Sequence, residues 1–93
     1  MLYLNESDIR RSISYEAMMD TMEEALRLFA RGEYVMADRL AVPGGDTTML
    51  YMPCFAGGFA GTKILASCPD NPSKGLPALS GIMLLNRADN GQI

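Results

Sequence analysis

The strongest constraint on this chain is a change of hydrophobic period at Gly32. From Tyr15 to Arg31 the apolar residues Tyr15, Met18, Met19, Met22, Ala25, Leu26 and Phe29 recur at i, i+3, i+4 and i+7. That spacing puts them on one stripe of an α-helix. Acids lead and arginines trail, the order that the helix dipole favours. Glu23 and Arg27 form an i,i+4 pair in the better orientation. Ser14 is a good N-cap, and Gly32 stands where a C′ glycine stops a helix. Beyond Gly32 the pattern is extended. Apolar segments near 38–42, 47–55, 60–67 and 78–86 are separated by Gly44-Gly45, by Gly57-Gly58 and by the proline-rich loop from Cys68 to Pro77. Prolines remove backbone donors and fix φ, so no helix is expected through that loop. Leu2-Tyr3-Leu4 reads as a short strand, and Asn5 to Ser7 offer caps for a short helix from Asp8 to Ser12. The expected class is therefore α+β, with an N-terminal strand and helices packed on a mostly antiparallel sheet of about four to five strands.

Composition removes several function classes. The chain has no histidine, which excludes Ser-His-Asp and Cys-His catalysis within it, and zinc sites with imidazole ligands. No metal site is expected. A net charge of −3, a pI of about 4.7 and scattered cations argue against nucleic-acid binding. Cys54 and Cys68 are too sparse for a disulfide scaffold and read as small apolar side chains. The N-terminus carries acid where a signal peptide needs base, and no apolar run approaches a membrane span. No membrane association is expected, and the cytoplasm is the default compartment.

Arg39 and Lys63 stand out as single cations in small or apolar strands, Arg39-Leu40-Ala41-Val42 and Thr62-Lys63-Ile64-Leu65-Ala66. If Gly44-Gly45 and Gly57-Gly58 are both two-residue hairpin turns, Arg39 lies opposite Leu50 and Lys63 opposite Met52. Leu50 and Met52 share a face of the middle strand. Both cations then project from one side, two strands apart and offset along the strands, and converge on one small anion. An arginine fork beside a compact ammonium suits a carboxylate. The plainer alternative is that each cation pairs with an acid such as Asp38 or Asp46, or extends into solvent. The opposite face carries Leu40, Val42, Met49, Tyr51, Ile64 and Ala66, and is the face the long helix is expected to cover. Asp89-Asn90-Gly91 is a type I′ hairpin signal with only two residues after it. A chain that is a fragment is the expectation.

Beyond these local readings, a set of short motifs runs the length of the chain. They are Glu23-Glu24-Ala25, Phe29-Ala30-Arg31-Gly32-Glu33, Val35-Met36-Ala37-Asp38-Arg39, Tyr51-Met52-Pro53, Gly61-Thr62-Lys63, Asn71-Pro72 and Gly75-Leu76-Pro77. In this order and spacing the sequence resembles the N-terminal segment of the ornithine cyclodeaminase/mu-crystallin family. The resemblance implies residues 1–93 of a two-domain enzyme, a partial substrate-binding and dimerisation domain whose Rossmann partner lies elsewhere. It implies NAD or NADP in the whole protein and none bound to this segment. It implies small amino, imino or keto acid substrates, with chemistry that runs from ornithine cyclodeamination (proline plus ammonia) to amino acid dehydrogenation and ketimine reduction. A homodimer through the sheet follows from the same likeness. So does an alternative: a mu-crystallin-like module that binds a small acid or hormone without turnover. Matched residue by residue, Arg39 and Lys63 fall on the family's carboxylate-binding pair, and Met52 on a residue lining that pocket. No catalytic residue is expected among these 93. Ala78 stands where many members carry threonine, which leaves Ser80 as the candidate cofactor-contacting hydroxyl. Gly57-Gly58-Phe59-Ala60-Gly61 lacks the strand-to-helix context of a dinucleotide loop.

Overall fold

The computed structural model describes residues 1–93 and shows two helices leading into one five-stranded antiparallel sheet. Helix α1 spans Glu6–Ser12. It starts two residues earlier than expected because Asn5, not Ser7, is the cap. The Asn5 side chain accepts from the Asp8 N–H at 3.0 Å, and the Asp8 carboxylate accepts from the Asn5 N–H at 3.0 Å. This is a reciprocal capping box. Helix α2 spans Tyr15–Ala30. Its Ser14 cap accepts from the Ala17 N–H at 3.1 Å, and the chain leaves the helix through Gly32 at φ 69°. The Glu23–Arg27 pair forms at 2.9 Å.

The strands are β1 (Val35–Met36), β2 (Leu40–Gly44), β3 (Thr47–Ala56), β4 (Phe59–Ser67) and β5 (Leu79–Arg87). Their order is β1-β3-β4-β5, with β2 also on β3. Strands β1 and β2 are thus one interrupted edge. Met36 pairs with Cys54 and Leu40 with Tyr51. Three residues, Ala37 to Arg39, therefore face only Met52 and Pro53, which is the geometry of a bulge. Pro53 has no N–H to offer, and the break in the edge falls opposite it.

Four local expectations change. The β2–β3 turn is Gly45-Asp46, with positive φ only at Gly45 (76°), while Gly44 pairs with Thr47. That is the pattern of a type II′ turn, whose first central residue must be glycine. Its register slides β2 by two residues from the arrangement expected with Gly44-Gly45 in the turn. Asn71–Lys74 forms one 3₁₀ turn inside the proline loop. Pro72 sits in its first turn, where an N–H has no intrahelical acceptor. At the C-terminal end only Gly91 has positive φ (75°), so Asn90-Gly91 is not a type I′ turn. Instead the Gly91 N–H donates to the Arg87 carbonyl at 2.9 Å and the Arg87 N–H donates to the Gln92 carbonyl at 2.8 Å. Finally, Leu2–Leu4 is not a strand, because an isolated extended segment needs a neighbour for its backbone groups and none of the sheet's strands pairs with it.

The molecule is open. Its radius of gyration is 15.6 Å, against about 12 Å for a compact chain of this length. It exposes 7580 Å², whereas a compact protein of this mass exposes about 5,300 Å². No residue is fully buried, and Met18, Met22, Leu26 and Phe29 on the α2 stripe are 41 to 65% exposed. The apolar stripe expected to lie over the sheet thus stays largely open within this chain. Phe29 stacks on Tyr34 with ring centroids 5.1 Å apart, next to β1. No helix is long and apolar enough to cross a membrane.

Candidate functional site

Strand alternation sorts the sheet into two faces. Lys63 pairs with Met52 on β3 and with Met83 on β5, so all three project from one face. The paired row across the sheet is Met52, Lys63 and Met83, and Arg39 stands at its β2 end, in the bulge that leads into Leu40. The two-residue slide at the Gly45-Asp46 turn preserves the parity inferred from the sequence for β2. Lys63 lies directly across from Met52 on β4, and Arg39 enters β2 on the other side of β3, one residue before the Leu40–Tyr51 pair. Both cations are exposed and Met52 is half-buried.

The charges around this row decide what it can do. Six ion pairs occupy Arg10, Arg11, Arg27, Arg31 and Arg87. Arg39 and Lys63 take part in none of them, and neither Asp38 nor Asp46 closes on them. The Arg31 guanidinium is held above its usual range by its hydrogen bond to Glu33. Arg87 is held the same way by Asp89, whose own carboxyl is lowered by that bond. These neutralised pairs leave Arg39 and Lys63 as the free positive charges of the sheet. Two donors of this kind, with one methionine between them, can grip a small carboxylate at both oxygens while an apolar surface supports the rest of the ligand.

Ser80 lies elsewhere. It pairs with Ala66 and projects from the opposite face, so the structure does not bring it to the cation row. Met83 is the residue that sequence reasoning missed. Its register follows from closure of the loop between β4 and β5, where the Cys68 N–H donates to the Ala78 carbonyl at 2.8 Å. That loop is too long for a turn rule to set register. Two shallow cavities of about 330 and 340 Å³ lie off the row. The second includes Cys54 and Gly61, two residues along from Met52 and Lys63.

The Gly57-Gly58 pair is a hairpin turn and not a strand-to-helix dinucleotide loop. Gly57 and Gly58, both at positive φ, form the turn between β3 and β4, with strand on either side. At the helix N-termini the caps each take one first-turn N–H, that of Asp8 in α1 and that of Ala17 in α2.

Comparison with known proteins follows the same lines. The sequence profile of the ornithine cyclodeaminase/mu-crystallin family matches residues 1–93. The chain belongs to this family. Within the ornithine cyclodeaminase/mu-crystallin family, the alanine dehydrogenase of Archaeoglobus fulgidus is 34% identical over 90 residues, covering 97% of this chain and 28% of that protein. The Δ1-pyrroline-2-carboxylate/Δ1-piperideine-2-carboxylate reductase of Azospirillum brasilense is also 34% identical over 90 residues, 94% of this chain and 28% of that protein. Among solved structures, the Δ1-pyrroline-2-carboxylate reductase of Thermococcus litoralis, in complex with NADH and L-proline, superposes with a TM-score of 0.86 at 27% identity. It covers 99% of this chain and 30% of that one. An archaeal alanine dehydrogenase dimer with bound NAD gives a TM-score of 0.84 at 34% identity, with 95% and 28% covered. The chain thus spans less than a third of the relatives it matches. These family members are oxidoreductases of amino and imino acids, and the fold seen here is the fold of a part of them.

Proposed function

We propose that this chain is the substrate-binding part of an NAD(P)-dependent enzyme acting on small amino or imino acids. The observation that carries the reading is that two exposed cations lie outside every ion pair, Lys63 across from Met52 and Arg39 at the start of β2 on the other side of Met52's strand. In the whole protein NAD(P) supplies hydride acceptance or donation, bound by residues outside this segment. The work of these 93 residues is to hold and orient. Arg39 presents a planar fork to the carboxylate, Lys63 adds a point charge from the neighbouring strand, and Met52 supports the aliphatic part between them. Fixing the carboxylate at two points sets the α-carbon at one height above the sheet, which is the alignment that transfer to or from a cofactor requires.

The relatives favour dehydrogenation of amino acids and reduction of cyclic imines over ornithine cyclodeamination as the chemistry. We further place a second copy of the protein on the opposite face, around Leu40, Val42, Tyr51 and Ile64. Leu40 and Val42 on that face are 58% and 46% exposed, an apolar surface left uncovered within this chain. The cytoplasm is the compartment that suits this reading.

The test is steady-state kinetics on the full-length protein. Lys63→Met and Arg39→Met should each raise KM by roughly 10- to 100-fold, the equivalent of a lost charged hydrogen bond, with a smaller change in kcat. Unchanged KM in both variants removes the row from the substrate site.

A further inference from the structure

Strand β5 ends the strand order, so its outer edge has no partner within this chain. The rungs on its inner side decide which backbone groups that edge offers. The Cys68 N–H donates to the Ala78 carbonyl at 2.8 Å, and the Ala88 N–H donates to the Gly58 carbonyl at 3.0 Å. Both contacts keep the β4–β5 register. Hydrogen-bonded pairs alternate along an antiparallel ladder. Ser80, Ile82, Leu84 and Asn86 therefore bond inward to β4, while Leu79, Gly81, Met83, Leu85 and Arg87 turn their N–H and C=O groups outward. The strand has no proline and no charge before Arg87, the usual guards of an open edge.

The last rung shows what takes this edge. The Arg87 N–H donates to the Gln92 carbonyl at 2.8 Å, and the Gly91 N–H donates to the Arg87 carbonyl at 2.9 Å. Gly91 stands at φ 75°. These bonds close a hairpin whose loop runs from Ala88 to Gly91. Side chains hold the loop in place. Asn86 Nδ2 donates to the Gly91 carbonyl at 2.8 Å, the Gln92 N–H donates to Asn90 Oδ1 at 3.0 Å, and Arg87 Nη2 meets Asp89 Oδ2 at 3.0 Å. Backbone leaving Gln92 is thus aimed back along the outer edge of β5. The chain spans less than a third of its relatives. We propose that in the whole protein the residues following Ile93 form a sixth strand, antiparallel to β5 and bonded to the outward groups of Leu85, Met83, Gly81 and Leu79. With Gln92 across from Arg87, Ile93 falls across from Asn86, and the third residue beyond Ile93 falls across from Met83. Residues directly across from one another share a face. The row of Met52, Lys63 and Met83 then gains a fourth member, which, on the substrate reading above, walls the site on its Met83 side. A strand from a second copy would have to displace Gln92 from the first rung.

Two measurements on the full-length protein test the pairing without any substrate, so their failure leaves Arg39 and Lys63 to the kinetics described above. Amide hydrogen exchange followed by NMR should find Gly81, Met83 and Leu85 slowed to within about tenfold of Ser80, Ile82 and Leu84. Outward amides that exchange like free peptide overturn the proposal. In a Cys54→Ser, Cys68→Ser background, Met83→Cys and a cysteine at the third residue beyond Ile93 should close an intrachain disulfide under mild oxidation. Hydrogen-bonded neighbours across an antiparallel pair lie about 5.5 Å apart at Cα, within disulfide reach. Met83→Cys with Ile93→Cys, out of register and on opposite faces, should stay reduced. Slow outward amides with a disulfide only between chains assign the edge to a second copy and overturn the proposal. Slow amides with no disulfide, in a variant that keeps the wild-type circular dichroism, overturn it by giving the edge to another segment. Closure through Ile93→Cys overturns the register. The exchange result on the unsubstituted protein decides alone where the cysteine variants do not fold.

Discussion

Two glycines on the same face of the sheet should respond oppositely to one added methyl group. At Gly81 in β5, a Cβ would stand 2.6 Å from the Ile64 carbonyl oxygen, 2.9 Å from Leu65 Cδ1 and 3.3 Å from Leu65 Cα. The first obstacle is backbone of the paired strand, so relief requires β4 and β5 to part by more than half an ångström. Overpacking of this kind costs about 1 to 3 kcal/mol. The lower chain entropy of alanine in the unfolded state offsets about 0.4 to 1 kcal/mol. Gly81→Ala should therefore destabilise by about 1 to 2 kcal/mol. At Gly61 in β4 a Cβ meets nothing within 4 Å, and the backbone is ordinary extended strand. Gly61→Ala should gain about 0.5 kcal/mol from the entropy term alone. The two variants should thus differ by roughly 2 kcal/mol, about thirtyfold in the opening equilibrium. Urea unfolding of the expressed protein measures the difference globally. Hydrogen exchange at the Leu65, Ser80 and Ile82 amides locates it on the β4–β5 ladder. A Gly81→Ala protein as stable as Gly61→Ala would refute the reasoning, because it would mean that the close approach of Gly81 to Ile64 does not constrain the sheet.

Other outcomes follow from the caps and the exposed charges. Ser14→Ala removes the acceptor for the Ala17 N–H and should cost about 1 kcal/mol, read as fraying at the start of α2 by amide exchange. Unchanged protection at Ala17 and Met18 would contradict the capping role. The Asp89 carboxyl is lowered by its bond to Arg87, so the order it lends to the 87–92 turn is present above the ordinary carboxylate pKa and lost as pH falls through the lowered folded value. Carbon-detected titration of Asp89 should show the shift, and Arg87→Gln should abolish it; an Asp89 pKa indifferent to Arg87→Gln would discard the pair. The cation variants described above should leave unfolding midpoints nearly unchanged, since neither Arg39 nor Lys63 has a partner to lose. A large stability loss in either would assign it a structural role.

Much of the fold was legible because it is local. The α2 stripe, its Ser14 cap and its Gly32 stop are encoded within one stretch of chain, and the structure places them where the period puts them. Face parity was legible for the same reason. Side chains alternate strictly, and a turn shifted by two residues returns every side chain to its original face. This is why the β2 side chains keep the faces inferred for them although the β2–β3 turn is Gly45-Asp46. What failed was what depends on partners distant in sequence. Leu2–Leu4 has the composition of a strand but no neighbour to bond to. Met83 sits beside Lys63 only because the Cys68–Ala78 contact sets where β5 begins.

The sequence by itself determined the class, the β3–β4 hairpin and the faces of the strands, since period, turn chemistry and alternation act over a few residues. Only the tertiary structure decided the two-residue slide of β2 and the position of Met83 beside Lys63. Register is a property of paired strands, and a side chain's neighbours across a sheet are set by hydrogen bonds between segments that no local pattern connects.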